Sequence, residues 1–544
     1  MKSSTSRFLF LLICCLAAGV AVRLGFINRP LERLADFPLL DDSFYSLNIA
    51  RNIAAGRGMT HDRVHRTNGF QPLYVFLAVP LYLMYPQDPV TPIRLMLLFS
   101  VFLSAFTGVL LFKTGRLIKN ERVGIFAGLL WFLSPCMIEH DINGLETGLY
   151  AFLLVAVLYY YLSRIRKRSF PANRRFVYLG VLAGLMVLAR IDGLIFVAGA
   201  GLDFLVVSGK RLKNETPVVL KQAGLFIFFM ILTVSPWFLN NAIRFHSLMP
   251  VSGQAVRFLS RSSHASTYQA AGDVFPIDPL PPGYYWHNLK FALVRLNRNP
   301  LIQTLLWIGL FFGVPKAGYL LVLLGLLVIG WLARRDPLAF EDYFTVGAVR
   351  GLFFTLLFSL VLVASYIFYV FGQWYYVRYF FPVQVIGLLY SGLLFDFTCE
   401  ALSDTKRKAV FVSLTAALLL ITFGLRLKDR YEQYDPAGSY YQSALWLNRK
   451  VPPGKTVGVF QSGAIGYFSR ARIINLDGVV NGKAFAAMKE KRMFRYLKEE
   501  KVDFVFDWPW MIDHYLVKSS TGKAGLRIVE KNGERCLYEV LHEG

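Results

Sequence analysis

Two adjacent carboxylates, Asp41 and Asp42, follow closely on the first hydrophobic segment of the chain. The stretch that they open, DDSFYSLNIARNIAAGRG, has the spacing of a short amphipathic helix that ends near Gly56 or Gly58. In a structural interpretation, Asp41 is the helix N-cap and Asp42 interacts with the helix dipole. That interpretation explains one acid, but it leaves a second carboxylate close to hydrocarbon, where charge is poorly solvated. A partly desolvated carboxylate beside another carboxylate has a raised proton affinity, which suits a general base.

The composition indicates a membrane protein with many spans. Of the 544 residues, 55% are hydrophobic and only 17% are charged, and apolar runs with few internal charges recur along the chain. The net charge of +24 would suggest a nucleic-acid partner in a soluble protein. Here the Lys and Arg residues concentrate in short segments between apolar runs, so we predict the lipid bilayer as a partner and no nucleic acid. The first apolar run, 8–27, is long and more spans follow, so it is predicted to be an uncleaved anchor.

The positive-inside rule selects which apolar segments cross the membrane, because several are too short for length to decide. The rule keeps the basic segments on one side if 72–85 and 301–314 do not cross. The prediction is a polytopic α-helical membrane protein of about 11 spans plus interfacial helices, with its N-terminus in the cytoplasm. Three regions then lie outside: a first loop of about 28–92, a second loop of about 240–316, and the C-terminal tail.

The tail, 428–544, differs in character from the transmembrane part, 1–427. The stretches TVGVF, ARIINL and VDFVFDW predict short strands, and KAFAAMKEKRMFRYLKEE between the last two predicts a helix. Alternating strands and helix predict a small extracytoplasmic α/β domain. The GxxG in SGAIGYF is interpreted as a turn, since a lone GxxG after a strand is weak evidence for a nucleotide site.

Several stretches resemble the GT-C superfamily of membrane glycosyltransferases. The first loop carries DDSFYSLNIARNIAAGRGMTHD and TNGFQPLYVFLAVPLY, and further pieces follow in order: NGLETGLYAFLL, LARIDGL, SPWFLNNAIRFHSLMPVSG, WYYVRYFFP and GAIGYFSRARIINLDGVVN. Relatives include the lipid A aminoarabinose transferase, the protein O-mannosyltransferases and, more distantly, mycobacterial arabinofuranosyltransferases. The resemblance spans nearly the whole chain and implies transfer of a sugar from a polyprenyl phosphate.

The resemblance also implies which residue is the base. In the superfamily an Asp of the first loop takes the proton of the acceptor hydroxyl, and here it corresponds to Asp41 or Asp42. Asp41 stands in the leading position and is the preferred base. Asp42 would then tune the proton affinity of Asp41, orient the acceptor or hold a cation. The branch that uses lipid-phosphate sugars commonly needs no metal, so we expect no cofactor and no obligatory divalent metal.

Four further candidates lie at predicted outer turns. Glu146 opens a helix and is interpreted either as a partner of the helix dipole or as a donor- or acceptor-binding residue. Arg190 and Asp192 either pair with each other or leave Arg190 to bind phosphate oxygens, for which its bidentate geometry is suited. Arg378 stands among aromatic residues typical of a membrane interface, and it is the candidate for binding the lipid phosphate.

The loops supply weaker candidates. Asn68 and Gln71, in the turn TNGFQP, are expected to line the pocket, and the second-loop stretch MPVSGQAVRF is expected to cover it as a lid. His61 and His65 are interpreted as solvated polar surface rather than as metal ligands. The five cysteines are scattered without CxxC spacing, so they predict neither a metal site nor a disulfide framework.

The sequence therefore predicts an inverting hexosyl- or pentosyltransferase of a bacterial plasma membrane. It would take a sugar from a lipid-linked donor on the outer face and pass it to a hydroxyl of an envelope glycan, lipid or protein. The alternative is a lipid-linked-sugar flippase or transporter, which is disfavoured because the sequence lacks an internal repeat. The tail is expected to help bind the acceptor or to stabilise the outer face. Sugar selectivity comes from pocket shape, so the sequence specifies neither sugar nor acceptor.

Overall fold

The computed structural model describes residues 2–167, 171–268, 282–296, 352–369, 375–402, 404–518 and 525–541. The predicted apolar segments 301–314 and 317–332 lie outside the described residues, as do parts of the second loop.

The membrane part is built from apolar helices. Within the described residues, five helices are long and apolar enough to cross a bilayer, and a pair bent by 65° makes a sixth if it is counted as one span. The long helices are α5 (Thr91–Ile118), α8 (Thr147–Tyr160, continued by a π-helical turn, Tyr161–Arg166), α12 (Thr216–Phe245), α17 (Phe381–Ala401) and α18 (Thr405–Glu432), and the bent pair is α6 (Glu121–Leu133) with α7 (Pro135–Asp141). Further helices of this part are α1 (Lys2–Ile27), α4 (Pro72–Met84), α9 (Asn173–Ala189), α10 (Gly193–Val207) and α15 (Phe353–Phe368). The architecture is helical, as the sequence predicts, and the number of spans stays a prediction.

Close helix contacts in this part depend on small residues and on buried ion pairs. A Cβ on Gly115 of α5 would lie 2.5 Å from the Cα of Gly124 in α6, so only glycine permits this approach. Arg23 of α1 and Asp141 of α7 form a fully buried ion pair with a nitrogen–oxygen distance of 2.8 Å. A charge in an apolar bundle is tolerated only with such a partner, so the pair fixes α1 against α7.

Shorter helices connect the spans and carry the loops. They are α2 (Leu31–Asp36), α3 (Asp41–Ala54), α11 (Gly209–Asn214), α13 (Val251–Tyr268), α14 (Pro282–Leu296) and α16 (Tyr376–Tyr379). The predicted helix of the first loop is α3, and Gly56 follows its end with a positive φ of 72°. The N-cap of α3 is Leu40, and the helix begins at Asp41 itself. The interpretation of Asp41 as an N-cap is therefore wrong.

The C-terminal part contains a five-stranded sheet in the order β2–β1–β3–β5–β4. Its strands are β1 (Thr456–Val459), β2 (Arg472–Asn475), β3 (Phe504–Asp507), β4 (Leu526–Asn532) and β5 (Arg535–Val540), and its helices are α19 (Tyr440–Lys450), α20 (Gly463–Phe468), α21 (Gly482–Lys489), α22 (Met493–Glu499) and α23 (Pro509–Ile512). Strands β2, β1 and β3 are parallel to one another. Strand β5 is antiparallel to both of its neighbours, β3 and β4. The three predicted strands are β1, β2 and β3.

One predicted helix of this domain is divided. The stretch KAFAAMKEKRMFRYLKEE forms α21 and α22, which are separated at Lys491. Lys491 has a positive φ of 56°, a left-handed conformation that a right-handed helix cannot include. Both helices bury their apolar faces against the sheet, where Met488 and Leu497 are inaccessible to solvent.

Candidate active site

A cavity of about 670 Å³ lies where the two outer loops and the C-terminal domain meet. Six of the residues singled out in the sequence line it: Asp42, Gln71, Glu146, Arg190, Asp192 and Arg378. Aromatic and charged side chains complete much of its wall: Tyr45, Phe70, Arg257, Arg261, Tyr366, Tyr369, Tyr375, Tyr379, Asp477 and Phe485. Asp41 and Asn68 are the two sequence candidates that do not line it.

Asp42 is the carboxylate of the adjacent pair that faces the cavity. Its Oδ2 accepts a hydrogen bond from Nη1 of Arg378 at 2.7 Å, and its side chain is 22% exposed. The Arg378 guanidinium lies over the rings of Tyr375 and Tyr379, at 4.7 and 5.3 Å from their centroids. Although burial disfavours the charged form of Arg378, the Asp42 carboxylate raises the pKa of Arg378 above its usual value. The cavity thus holds a carboxylate and a permanent cation in direct contact.

Asp41 points instead into the C-terminal domain. Its two carboxylate oxygens accept the backbone N–H groups of Gly463 at 3.1 Å and Ala464 at 2.8 Å, at the start of α20. Burial is the main reason that the pKa of Asp41 rises to about 7, while these two hydrogen bonds oppose the rise. Consecutive side chains of a helix diverge by about 100°, so one acid can face the cavity while its neighbour binds another domain. The geometry therefore places Asp42, rather than Asp41, at the cavity.

Arg190 organises a buried charge cluster on the cavity wall. Its Nη1 donates to Oε1 of Glu146 at 3.0 Å, and its Nη2 donates to Oδ2 of Asp192 at 2.8 Å. The hydroxyl of Tyr366 accepts a hydrogen bond from Arg190 at 3.0 Å and donates to Asp192 at 2.8 Å. Arg190 and Asp192 thus pair with each other. Arg190 also pairs with Glu146 before α8, and both residues are hydrogen-bonded to Tyr366 of α15. The cluster fixes the turn before α10 to α8 and α15.

The turn TNGFQP contributes one residue to the cavity and one to its support. Gln71 lines the cavity. Asn68 is buried, and its Oδ1 accepts the backbone N–H of Val251 at 3.0 Å, at the first residue of α13. The sequence analysis expected Asn68 to line the pocket. In the structure, Asn68 instead joins the first loop to the second loop.

The second-loop stretch MPVSGQAVRF lies along the cavity, as expected of a segment that covers it. It includes the start of α13, and Arg257 of this helix lines the wall. Nε of Arg257 donates to the carbonyl oxygen of Tyr369 at 3.1 Å, and the guanidinium lies 4.2 Å from the centroid of the Tyr369 ring. Arg257 is a further cation at the cavity, and sequence reasoning did not single it out.

Tyr366 and Asp477 are also among the cavity residues that sequence reasoning did not single out. Tyr366 stands in the apolar helix α15, where nothing distinguishes it from an ordinary interfacial tyrosine. Asp477 follows the buried strand β2 and lines the wall, and burial is the main cause that raises the pKa of Asp477 to about 8. An acid directly after a predicted strand was a usable sign, because loops at strand ends often carry functional side chains.

The histidines of the first loop are buried rather than solvated, which corrects the sequence interpretation. His65 lies between two acids, with nitrogen–oxygen distances of 2.5 Å to Asp62 and 2.9 Å to Glu500 of the C-terminal domain. Burial opposes the charge of His65, but Asp62 and Glu500 raise its pKa above the usual value. The ring of His61 lies 3.3 Å from Oγ of Ser462, and burial lowers the pKa of His61 to about 4. Both histidines thus join the first loop to the C-terminal domain.

Among the residues that the structure describes, no three side chains of His, Cys, Asp or Glu converge in a way that could hold a metal ion. The expectation of a metal-independent reaction stays a prediction.

Comparisons with known proteins support the same fold. Residues 91–237 match the family described as dolichyl-phosphate-mannose-protein mannosyltransferase, and residues 426–537 match a family described as a domain of unknown function. No curated protein matches the chain in sequence. Among solved structures, ArnT from Cupriavidus metallidurans bound to undecaprenyl phosphate matches with a TM-score of 0.58 and 11% identity, over 97% of this chain and 98% of that one.

A second solved structure belongs to a different enzyme of the same fold. The archaeal oligosaccharyltransferase AglB from Archaeoglobus fulgidus, in complex with an inhibitory peptide and a dolichol-phosphate, matches with a TM-score of 0.51 and 14% identity. The match covers 97% of this chain and 74% of that one. The chain is thus a helical membrane protein. It shares its fold with both solved structures, so the resemblance drawn from the sequence is confirmed at the level of the fold.

Proposed function

We propose that this protein is an inverting glycosyltransferase that moves a sugar from a polyprenyl phosphate to a hydroxyl of a cell-envelope acceptor. The reaction would take place on the outer face of the plasma membrane. The observation that carries the proposal is that a carboxylate, Asp42, and a cation, Arg378, share one cavity. ArnT and AglB, two solved structures with this fold, were determined with undecaprenyl phosphate and a dolichol-phosphate bound, which supports a lipid-phosphate donor.

Asp42 is the base in this proposal. Its carboxylate takes the proton of the acceptor hydroxyl as the hydroxyl oxygen attacks the anomeric carbon of the donor sugar. Attack comes from the face opposite the phosphate, so the configuration at that carbon inverts. The bond between the anomeric carbon and the phosphate oxygen breaks, and its electron pair leaves with the lipid phosphate. A positioned base of this kind contributes on the order of 10²–10⁴-fold in rate.

Arg378 stabilises the leaving group. A phosphate that enters the cavity offers Arg378 a second anionic acceptor besides Asp42, and charge-assisted bonds from arginine to phosphate are strong and often bidentate. If Arg378 donates its hydrogen bond to the phosphate instead of to Asp42, the Asp42 carboxylate becomes available to abstract the proton. Arg257, on the second loop, is a further cation for the same charge, and such fixed charges act most strongly in a site that excludes water.

The Arg190 cluster keeps the cavity in shape. Arg190 donates hydrogen bonds to Glu146, Asp192 and Tyr366, so we assign these residues to positioning α8, α10 and α15 rather than to the chemical step. The cavity then retains its form when the donor displaces water.

The test uses the full-length protein in lipid nanodiscs with a panel of undecaprenyl-phosphate hexoses and pentoses and an envelope extract as acceptor. We expect release of undecaprenyl phosphate together with a new glycosidic bond of inverted configuration, detected by mass spectrometry and NMR. Asp42→Asn serves as the inactive control and should still bind undecaprenyl phosphate. Movement of the lipid across the bilayer without a new glycosidic bond would favour a flippase and refute the proposal.

A further inference from the structure

The segment that follows β2 is a fixed loop of the C-terminal domain. Asn475, the last residue of β2, accepts the backbone N–H of Gly478 at 3.0 Å and donates to Oγ of Ser462 at 3.0 Å. Asn481, at the far end of the loop, donates to the carbonyl oxygen of Asn475 at 3.0 Å. Gly478 has a φ of 80°, which side-chain-bearing residues rarely adopt. The loop is therefore held in one conformation by its own hydrogen bonds.

The same loop fits tightly against the first outer loop. A Cβ on Gly69 would lie 2.0 Å from the carbonyl oxygen of Val479, so the two backbones are in contact. Val251, which begins α13, also touches this position, at 3.1 Å from the Cβ that Gly69 lacks. The first loop, the second loop and the C-terminal domain therefore meet beside the loop that carries Asp477.

The carboxyl group of Asp477 belongs to the cavity wall. Its Oδ1 accepts the backbone N–H of Val479 at 2.8 Å, and the residue is only 5% exposed. Asp477 and Asp42 line the same cavity, together with Phe485 of the C-terminal domain. Burial, with a smaller effect from the charges of Asp42 and Asp41, raises the pKa of Asp477 to about 8. At neutral pH this group is largely a neutral carboxyl, which both donates and accepts hydrogen bonds.

We propose that Asp477 binds a hydroxyl group of the acceptor, a sugar or another polyol, an inference that rests on the proposed transfer reaction. A hydroxyl also donates and accepts one hydrogen bond at a time, so it is complementary to a neutral carboxyl. The donor is anchored in the bilayer by its lipid, whereas Asp477 comes from the domain that follows the last described apolar helix. The wall that this domain builds is therefore the acceptor side of the cavity, with Phe485 as an apolar surface against the ring face.

Binding of methyl glycosides tests the inference without knowledge of the natural acceptor. Saturation-transfer NMR would measure the affinity of the full-length protein in nanodiscs for methyl glycosides of a hexose, a pentose and an aminosugar. We expect the wild type to bind at least one of them. Asp477→Ala should weaken that binding by about tenfold or more, as expected for a lost hydrogen bond in a dry site. Asp477→Asn should stay within about threefold, because the amide also donates and accepts.

Two controls separate this role from a loss of folding. Asp507 ends β3, is buried, and accepts the backbone N–H groups of Phe460 and Gln461 at 2.9 and 3.2 Å, but it does not line the cavity. Asp507→Asn should lower thermal stability and leave glycoside affinity unchanged. Native mass spectrometry with undecaprenyl phosphate should give the same binding for the wild type and for both Asp477 variants.

The inference is overturned if the wild type binds none of the glycosides, if Asp477→Ala binds them as the wild type does, or if Asp507→Asn loses the same affinity. If the wild type still binds undecaprenyl phosphate and releases it from a lipid-phosphate sugar, only the inference about Asp477 has failed and the proposed function stands. If the wild type does neither of these, the proposed function itself has failed.

Discussion

At the scale of single residues, two neighbouring acids have separate tasks. Asp42 faces the cavity and contacts Arg378, whereas Asp41 binds the start of α20 in the C-terminal domain. The sequence shows the pair of acids and the boundary at which they lie. It cannot show the rotation of α3 about its own axis, because that rotation is set by the packing of α3 against α4 and α20. The sequence analysis preferred Asp41 as the base, whereas the contacts of the two side chains lead us to propose Asp42.

The acid–histidine contact across the first loop leads to a prediction on pH. The pKa of His65 is raised, so its bridge to Asp62 and Glu500 stabilises the fold fully below the unfolded pKa of about 6.5 and is lost as pH rises through the folded pKa. His65→Gln should therefore lower the free energy of unfolding by about 1–3 kcal/mol at pH 6 and by less at pH 9.5. Thermal unfolding of both proteins at the two pH values measures this difference.

His61 supplies the control with the opposite sign. Its pKa is lowered to about 4 by burial, so the neutral ring contributes stability that falls as pH drops below about 6.5. The effect of His61→Gln should therefore shrink toward pH 5, where that of His65→Gln is large. Equal losses at both pH values for His65→Gln would show that the bridge carries no charge.

At the scale of elements, the contact of α3 with α20 decides how the C-terminal domain joins the membrane part. A Cβ on Gly463 would lie 2.0 Å from the carbonyl oxygen of Asp41, and a backbone atom cannot move away cheaply. Gly463→Ala should therefore separate α20 from α3, make the domain more sensitive to protease, and lower the sugar-transfer rate. Limited proteolysis and the transfer assay measure the two effects.

Gly482 is the matched control for that substitution. It also begins a short helix of the domain, but among the described residues a Cβ there would meet Val251 alone, at an ordinary distance of 3.9 Å. Gly482→Ala should leave protease resistance and transfer close to the wild type. If Gly463→Ala is equally harmless, the contact between α3 and α20 does not hold the domain in place.

The elements themselves were predicted where their apolar patterns are strong. The strands β1, β2 and β3 are largely buried apolar runs between turn residues. This pattern is visible in the sequence, so the three strands could be predicted. The hairpin of β4 and β5 was missed, because β4 is an edge strand with exposed apolar residues such as Ile528 and lacks a clear alternation. The break at Lys491 was missed too, since a left-handed lysine leaves no mark in a helical pattern.

At the scale of the whole molecule, the three regions that were predicted to lie outside are in contact around one cavity. Glu146 and Arg378 were singled out as charged residues at predicted outer turns, and both line this cavity. Tyr366 could not be found in this way, since its role depends on how α15 packs against the turn of Arg190. That packing is a tertiary property.

The whole site also gives a prediction on metal dependence. Arg378 and Arg257 line the cavity, and arginine side chains can neutralise a phosphate without a metal ion. Sugar transfer should therefore persist in excess EDTA, at a rate close to that without chelator. Loss of activity in EDTA and its recovery on addition of Mg²⁺ or Mn²⁺ would show that a metal is required.

The central claim is that Asp42 removes the acceptor proton, and the single-turnover rate of sugar transfer tests it most directly. Asp42→Asn should slow the chemical step by on the order of 10²–10⁴-fold with undecaprenyl phosphate still bound. Asp41→Asn keeps a side-chain oxygen for the N–H of Ala464, so its rate should stay within about tenfold of the wild type. A wild-type rate for Asp42→Asn, whether or not Asp41→Asn is slow, would contradict the account.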